Sequence, residues 1–345
     1  MKPRLSVVIT SFNRPNFLLR AVKFLLSYKL PIQLIILDSS SKKIENIEFN
    51  NLVTEYNIIV KKFDTDIFVT EKIARGCDFI NTDYSVICPD DDFFSTASLL
   101  KCVDFLDVNP DYSSAHGLHF CHTSYEKTIK NGFNLFQLYY KGKSIIDEKS
   151  SDRINKYLTG ESHYHPFYAV HKTKDFKLIW KNINLFVDDW SLSEYFPSCL
   201  SLILGKMKIL PILYASREPN VPSRHYNERL RPDRTLPNEK ISKASQGLAI
   251  FLNQHEDISL SDAEKLFINY FLILKKNHSK KLKNIKVFVI NLLGKLLRLI
   301  RFESSNIKKY SSKFNLSIND VDKIKLAIIS SQASENEIKA SRELH

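Results

Sequence analysis

The first hundred residues alternate between apolar runs of strand length and amphipathic runs of helix length, and few folds accept that rhythm. Leu5-Ser6-Val7-Val8-Ile9-Thr10, Gln33-Leu34-Ile35-Ile36-Leu37, Ile58-Ile59-Val60 and Tyr84-Ser85-Val86-Ile87-Cys88 are the strand candidates. Between them, residues 16–28 and 69–80 carry apolar side chains at helical spacing. Pro15 opens the first helix, because its fixed φ and missing N–H suit a first turn. Strand–helix–strand repeats wind as right-handed βαβ units, so the expected fold is α/β with a mostly parallel sheet flanked by helices.

The end of the last of these strands carries the chemistry. Ile87-Cys88-Pro89-Asp90-Asp91-Asp92-Phe93-Phe94 places three consecutive carboxylates after a buried strand. Ser95-Thr96-Ala97-Ser98-Leu99-Leu100 then reads as a helix start with a hydroxyl N-cap. Open α/β sheets bind ligands at the carboxyl ends of their strands. Adjacent carboxylates repel one another, and a fold tolerates them where a cation or many donors neutralise the charge. A hard divalent metal carrying a diphosphate suits this place, and a solvated acidic loop is the plain alternative.

Further along, order is harder to see. Residues 110–220 are rich in Tyr, Phe and His, and include Gly160-Glu161-Ser162-His163-Tyr164-His165. A helix is expected near 174–181, and Phe186-Val187-Asp188-Asp189-Trp190-Ser191-Leu192-Ser193-Glu194 leads into another. Residues 207–215 read as a final strand, opening into a polar loop. Four prolines from 219 to 237 place the boundary there, giving an α/β domain over 1–232 and a basic helical region over 233–345. Within that region, Ile285–Phe302 is densely apolar with Lys286, Lys295, Arg298 and Arg301 interspersed. It reads either as an amphipathic helix on an anionic membrane surface or as a packed helix of a C-terminal bundle.

Charge and cysteine usage narrow the setting. Lys and Arg total 50 against 38 acids, a net charge of +12 that favours an anionic partner. No nucleic-acid-binding motif accompanies the charge, so nucleic acid is set aside. The five cysteines show no metal spacing and read as buried free thiols, which points to a reducing compartment. No leader-like start and no apolar run of about 20 residues are present. The expected location is therefore cytoplasmic, or peripheral on the inner face of the cell membrane.

Thr10-Ser11-Phe12-Asn13-Arg14, Asp38-Ser39-Ser40 and the acidic triplet, followed by Asp188-Asp189-Trp190, together resemble the family 2 glycosyltransferases over about residues 4–230. The resemblance implies the GT-A fold, a Rossmann-like sheet, and sugar transfer from a nucleotide-sugar donor. Thr10, Ser11, Asn13, Arg14, Asp38, Arg75, Asp90, Asp91 and Arg224 are then the candidate donor-binding residues. For Asp38 the alternative is a turn-forming side chain, and for Arg75 a surface charge. Mn²⁺ or Mg²⁺ would be held by Asp91, supported by Asp90, Asp92 and His225. Asp91 leads because Pro89 stands where the family usually has its first Asp. The acidic pair is usually Glu-Asp, and here Asp189 is the candidate base with Asp188 second, against a helix N-cap as the alternative. Trp190, Glu194, His163 and His165 are candidates for the acceptor side.

The function expected is thus metal-dependent, inverting transfer of a sugar to a hydroxyl of a glycan or lipid-linked acceptor, in bacterial surface polysaccharide synthesis. A sugar-1-phosphate nucleotidyltransferase needs a Gly-rich loop after the first strand, and residues 10–15 hold no glycine. A two-carboxylate glycoside hydrolase is disfavoured because three contiguous acids suit a metal better than a general acid. A non-catalytic glycan- or nucleotide-binding protein of the same fold is the remaining alternative.

Overall fold

The computed structural model describes residues 2–121, 143–160, 166–188, 190, 192–217, 236–283 and 323–324. Its strands are β1 (Leu5–Ser11), β2 (Gln33–Asp38), β3 (Ile59–Lys62), β4 (Tyr84–Pro89), β5 (Phe93–Phe94), β6 (Tyr112–Cys121), β7 (Val170–Lys172) and β8 (Lys206–Arg217). They form one sheet in the order β3-β2-β1-β4-β7-β6-β8-β5. β7 and β5 run antiparallel to their neighbours, and the other six share one direction. The helices are α1 (Pro15–Leu26), α2 (Ile47–Glu55), α3 (Val69–Gly76), α4 (Thr96–Val108), α5 (Ser150–Leu158), α6 (Thr173–Phe186), α7 (Tyr195–Leu204), α8 (Asn238–His255) and α9 (Leu260–Lys283).

Burial follows the strand period of two. Val8, Ile35 and Ile87 face one apolar layer with Ile73 of α3 and Ile179 of α6. Val7, Ile9, Ile36, Val86 and Cys88 face another with Leu18 and Val22 of α1 and Leu99 of α4. Both faces of the central strands are dry, which is why their sequences are nearly unbroken apolar runs. The expected α/β architecture is therefore present, with β8 extending two residues beyond the expected 207–215 at its carboxyl end.

Five elements differ from the sequence reading: α2, β5, β6, β7 and α5 do not stand out from the pattern. β6 is the instructive one. Its sequence, YSSAHGLHFC, looks like a loop, yet Ser113, Ser114, His116 and His119 are all buried. Polar residues at this depth are tolerated when they find partners. At Gly117 an added Cβ would meet Ile212 O at 2.7 Å, so β8 comes too close for any larger residue. The β6–β8 register shifts between His116 and Leu118, and Pro211, which cannot donate to a ladder, lies in the stretch of β8 facing that irregularity.

His171 on β7 makes this buried polar layer pH-sensitive. Its Nδ1 lies 2.9 Å from Ala169 O and its Nε2 3.0 Å from Ser201 Oγ. Burial lowers its pKa from 6.5 to about 4. The folded value is depressed, so the unfolded chain takes up a proton that the fold refuses as pH falls from 6.5 toward 4. The associated stability is present above that window and lost through it, about 3 kcal/mol at its acid end. The melting temperature is expected to fall between about pH 7 and about pH 4.5, and His171→Gln is expected to flatten that slope. Equal slopes for the two proteins would refute the assignment.

Beyond the α/β sheet, α8 and α9 pair, and α8 packs on α6 and α7. Ile241, Ala244, Leu248 and Leu252 of α8 and Phe267 and Phe271 of α9 join the same apolar layer as Trp180 and Phe196. Gly247 lies against Phe186, where a Cβ would come within 2.4 Å of the ring. The expected boundary near 232 falls outside the described residues, as does Ile285–Phe302. Among the described residues, no helix is long and apolar enough to cross a membrane.

Candidate active site

The carboxyl ends of β1, β2, β4 and β8 lie along one edge of the sheet, and polar residues collect there. β4 ends at Pro89, Asp90–Asp92 form the turn, and Phe93 and Phe94 pair at once with Ser216 and Ala215 of β8. The turn is therefore held at both ends. Ser95 caps α4 as expected, its Oγ accepting from Ser98 N at 3.3 Å. Arg20 of α1, unnoticed in the sequence, fixes the turn from beneath. It sits 4.7 Å from the rings of both Phe17 and Phe93 and donates to Asp91 O at 3.0 Å.

The three acids are not equivalent. Asp90 is fully buried, accepting from Ser11 Oγ at 2.9 Å and from Arg14 Nη2. Burial pushes its carboxyl up to about 6, with Arg14 pulling the other way. Asp91 keeps a 19% exposed side chain, and its Oδ2 accepts from Arg14 Nη1 at 3.0 Å. Burial opposes its charge, yet Arg14 and Arg217 hold the carboxyl below the ordinary range. Asp92 is 5% exposed, with Arg217 Nε 3.7 Å from its Oδ2. Arginines thus supply the donors that the sequence reading allowed beside a divalent metal.

Exposure decides how these acids fit a divalent cation. Among the described residues no three His, Cys, Asp or Glu side chains form a group that could hold a metal. Mg²⁺, however, commonly takes one or two carboxylates and completes its shell from water and substrate phosphates. Asp91, ionised and partly exposed, fits that requirement, with Asp92 beside it. Asp90 fits less well: it is fully buried, with Ser11 on one oxygen and Arg14 on the other, and these contacts make it an anchor of the turn.

Around the triplet, β1 and β2 meet through side chains. Asn13, with φ 54°, accepts from Ser41 N at 2.8 Å, and its own N–H donates to Ser40 Oγ at 2.7 Å. Thr10 stays within β1, in register with Leu37 and Pro89. Asp38 takes the turn-forming alternative: its Oδ1 accepts from Ser40 N at 2.9 Å and its Oδ2 from Lys62 Nζ at 3.0 Å. Lys62 stands directly across from Asp38 on β3. Arg75 takes the surface-charge alternative. It is exposed and pairs with Glu71 on its own helix, whereas Lys72 turns inward to Ser11 O at 3.0 Å and Ser39 Oγ at 2.9 Å. The two basic side chains lie three positions apart on one helix, and helix phase alone did not choose between them.

The acidic pair is described in part. Asp188 is more than half exposed, with Lys240 Nζ 3.0 Å from Oδ1 and Lys243 Nζ 3.7 Å from Oδ2. The Lys240 hydrogen bond holds its carboxyl below the ordinary range. Trp190 packs edge-on to Phe68 at 4.6 Å, and Phe68 immediately precedes α3, one turn before Lys72. That contact ties the pair's segment to the edge where the triplet lies. Glu194 precedes α7, its carbonyl accepting from Ser198 Oγ at 2.6 Å. Asp189, His163, His165, Arg224 and His225 lie outside the described residues.

Residues 6–166 match the sequence profile of Glycosyl transferase family 2. This stretch is a family 2 glycosyltransferase domain. Two crystal structures of S. aureus TarS 1–349 share its fold. The first aligns at 11% identity with a TM-score of 0.53, over 82% of this chain and 75% of the other. The second, a complex with UDP-GlcNAc, aligns at 13% identity with a TM-score of 0.53, over 82% and 76%. None of the curated proteins matches this chain. At such identities the likeness speaks to the fold, and the GT-A-like sheet of the glycosyltransferase domain agrees with it.

Proposed function

We propose that this glycosyltransferase moves a sugar from a nucleotide-sugar donor to a hydroxyl of a glycan or lipid-linked acceptor, inverting the anomeric centre by single displacement. The observation that carries the reading is the acidic turn of a family 2 domain. It presents one ionised, partly exposed carboxylate, Asp91, beside Arg14 at the carboxyl ends of the parallel strands. The UDP-GlcNAc complex of TarS supports a nucleotide-sugar donor. Asp91, with Asp92, would hold Mn²⁺ or Mg²⁺, which neutralises the charge that develops on a leaving diphosphate.

The residues of the chain divide the remaining work. Arg14 and Arg217 keep Asp91 ionised. Arg20 holds the turn's backbone. The acidic pair supplies the general base on the acceptor side. Asp188, bound by Lys240 with its pKa lowered, is the weaker proton acceptor, which favours Asp189. Trp190 offers an aromatic face for a sugar ring. The acceptor belongs by this reading to bacterial surface polysaccharide synthesis, with 285–302 touching an anionic membrane.

Melting curves with Mn²⁺ and a panel of nucleoside diphosphates test the donor site. At least one nucleotide is expected to raise the melting temperature only when the metal is present. A panel that gives no metal-dependent rise would sink the reading in favour of a glycan-binding protein without donor chemistry. Sedimentation with anionic liposomes tests the membrane contact.

A further inference from the structure

We infer that Arg14 is a built-in counter-ion that shares Asp91 with the donor's divalent cation, so that Arg14 changes partners when cation and diphosphate arrive together. The inference rests on the metal-dependent reading above. Its basis is the two-pronged geometry of one guanidinium: Nη2 donates to Asp90 Oδ1, and Nη1 donates to Asp91 Oδ2 at 3.0 Å.

The two prongs differ in what they cost to release. Asp90 is fully buried, and removing the partner of a buried charge typically costs about 3–5 kcal/mol. Asp91 is partly exposed, so solvent or another cation can take over its charge more cheaply. The backbone of Arg14 is fixed by Pro15 behind it and by Leu18 N donating to its carbonyl at 3.0 Å. Ser11 Oγ, at 2.9 Å from Asp90 Oδ2, holds the other side of the pivot. A side chain held in this way keeps its bond to Asp90 and pivots about it as a rigid plane, which carries the outer N–H away from Asp91.

Two cations on one carboxylate repel. Arg14 therefore yields Asp91 Oδ2 to the cation and turns its freed N–H groups toward the diphosphate, a partner that suits a planar, forked donor. A cation arriving alone meets Arg14 on its ligand with no new anion for Arg14 to take. Arriving with a diphosphate, it allows an exchange that leaves no ion pair unmade. The arrangement also separates the contiguous acids by role, with Asp90 as the pivot, Asp91 as the shared carboxylate and Asp92 facing Arg217.

Isothermal titration with Mn²⁺ alone, and with Mn²⁺ in saturating UDP, decides the point for the wild type, Arg14→Gln and Arg14→Lys. Arg14→Gln is expected to bind Mn²⁺ alone about tenfold tighter than wild type, and to gain less from UDP, a coupling within the usual range. Arg14→Lys keeps a cation over Asp90 and loses the second prong. It is expected to shift in the same direction, and it decides the matter should Arg14→Gln fail to fold. If Mn²⁺ binds with UDP but both variants titrate like wild type, the partner exchange is overturned while the metal site stands. If Mn²⁺ binds none of the proteins under either condition, the metal reading falls and the exchange with it.

Discussion

Asp91→Ala is expected to abolish metal-dependent nucleotide binding and turnover together, with no large loss of stability. Asp91 is the one acid of the triplet that combines ionisation with exposure. Removing it withdraws the carboxylate that would hold the cation, and with it the charge that offsets the leaving diphosphate. Electrostatic groups of this kind are worth about 10²–10³ in rate apiece, and loss of the cation compounds that. Stability is spared because Arg14 retains Asp90, and Arg20 bonds the backbone carbonyl of residue 91 rather than its side chain. The check is paired: turnover with the donor found by the melting screen, and the metal-dependent rise in melting temperature itself. A variant that keeps both would remove Asp91 from the site. Asp90→Ala makes the contrast, because it removes the buried carboxylate that joins Ser11 to Arg14, and it is expected to lower the melting temperature more than Asp91→Ala.

Asp189→Asn is expected to leave nucleotide binding intact and to lower kcat by about 10²–10⁴, the usual worth of a positioned general base. Asparagine keeps the shape and hydrogen-bonding capacity of the side chain and removes its ability to take a proton. Asp188→Asn, at a carboxylate already engaged by Lys240 and Lys243, is expected to cost far less. Equal losses at both positions would mean that the pair acts as a unit. Full activity of Asp189→Asn would rule out the base assignment.

The legible parts of this protein are those set by neighbouring residues. Apolar strand runs, the Pro15 helix start and the Ser95 cap depend on side chains a few positions apart, and each appears where the sequence placed it. β6 was not legible because its serines and histidines are polar, and only burial against β7, β8 and α7 makes a strand of them. Lys72 and Arg75 were indistinguishable for a related reason. Which one turns toward Ser11 and Ser39 depends on how α3 lies on β1 and β2. Arg20 reads as one more charged helix residue until Phe17 and Phe93 close around it.

By itself the sequence determined an α/β sheet with polar strand ends, and an acidic turn at the end of its fourth strand. The family resemblance added a sugar-transfer chemistry that the profile match over 6–166 supports. Tertiary structure alone divided the three acids: Asp90 buried as an anchor, Asp91 partly exposed and paired with Arg14, Asp92 turned to Arg217. The physical reason is range. A carboxylate's charge and exposure are set by what surrounds it, and Ser11, Arg14, Arg20 and Arg217 reach the turn from β1, the loop after it, α1 and the end of β8, places that no local pattern connects.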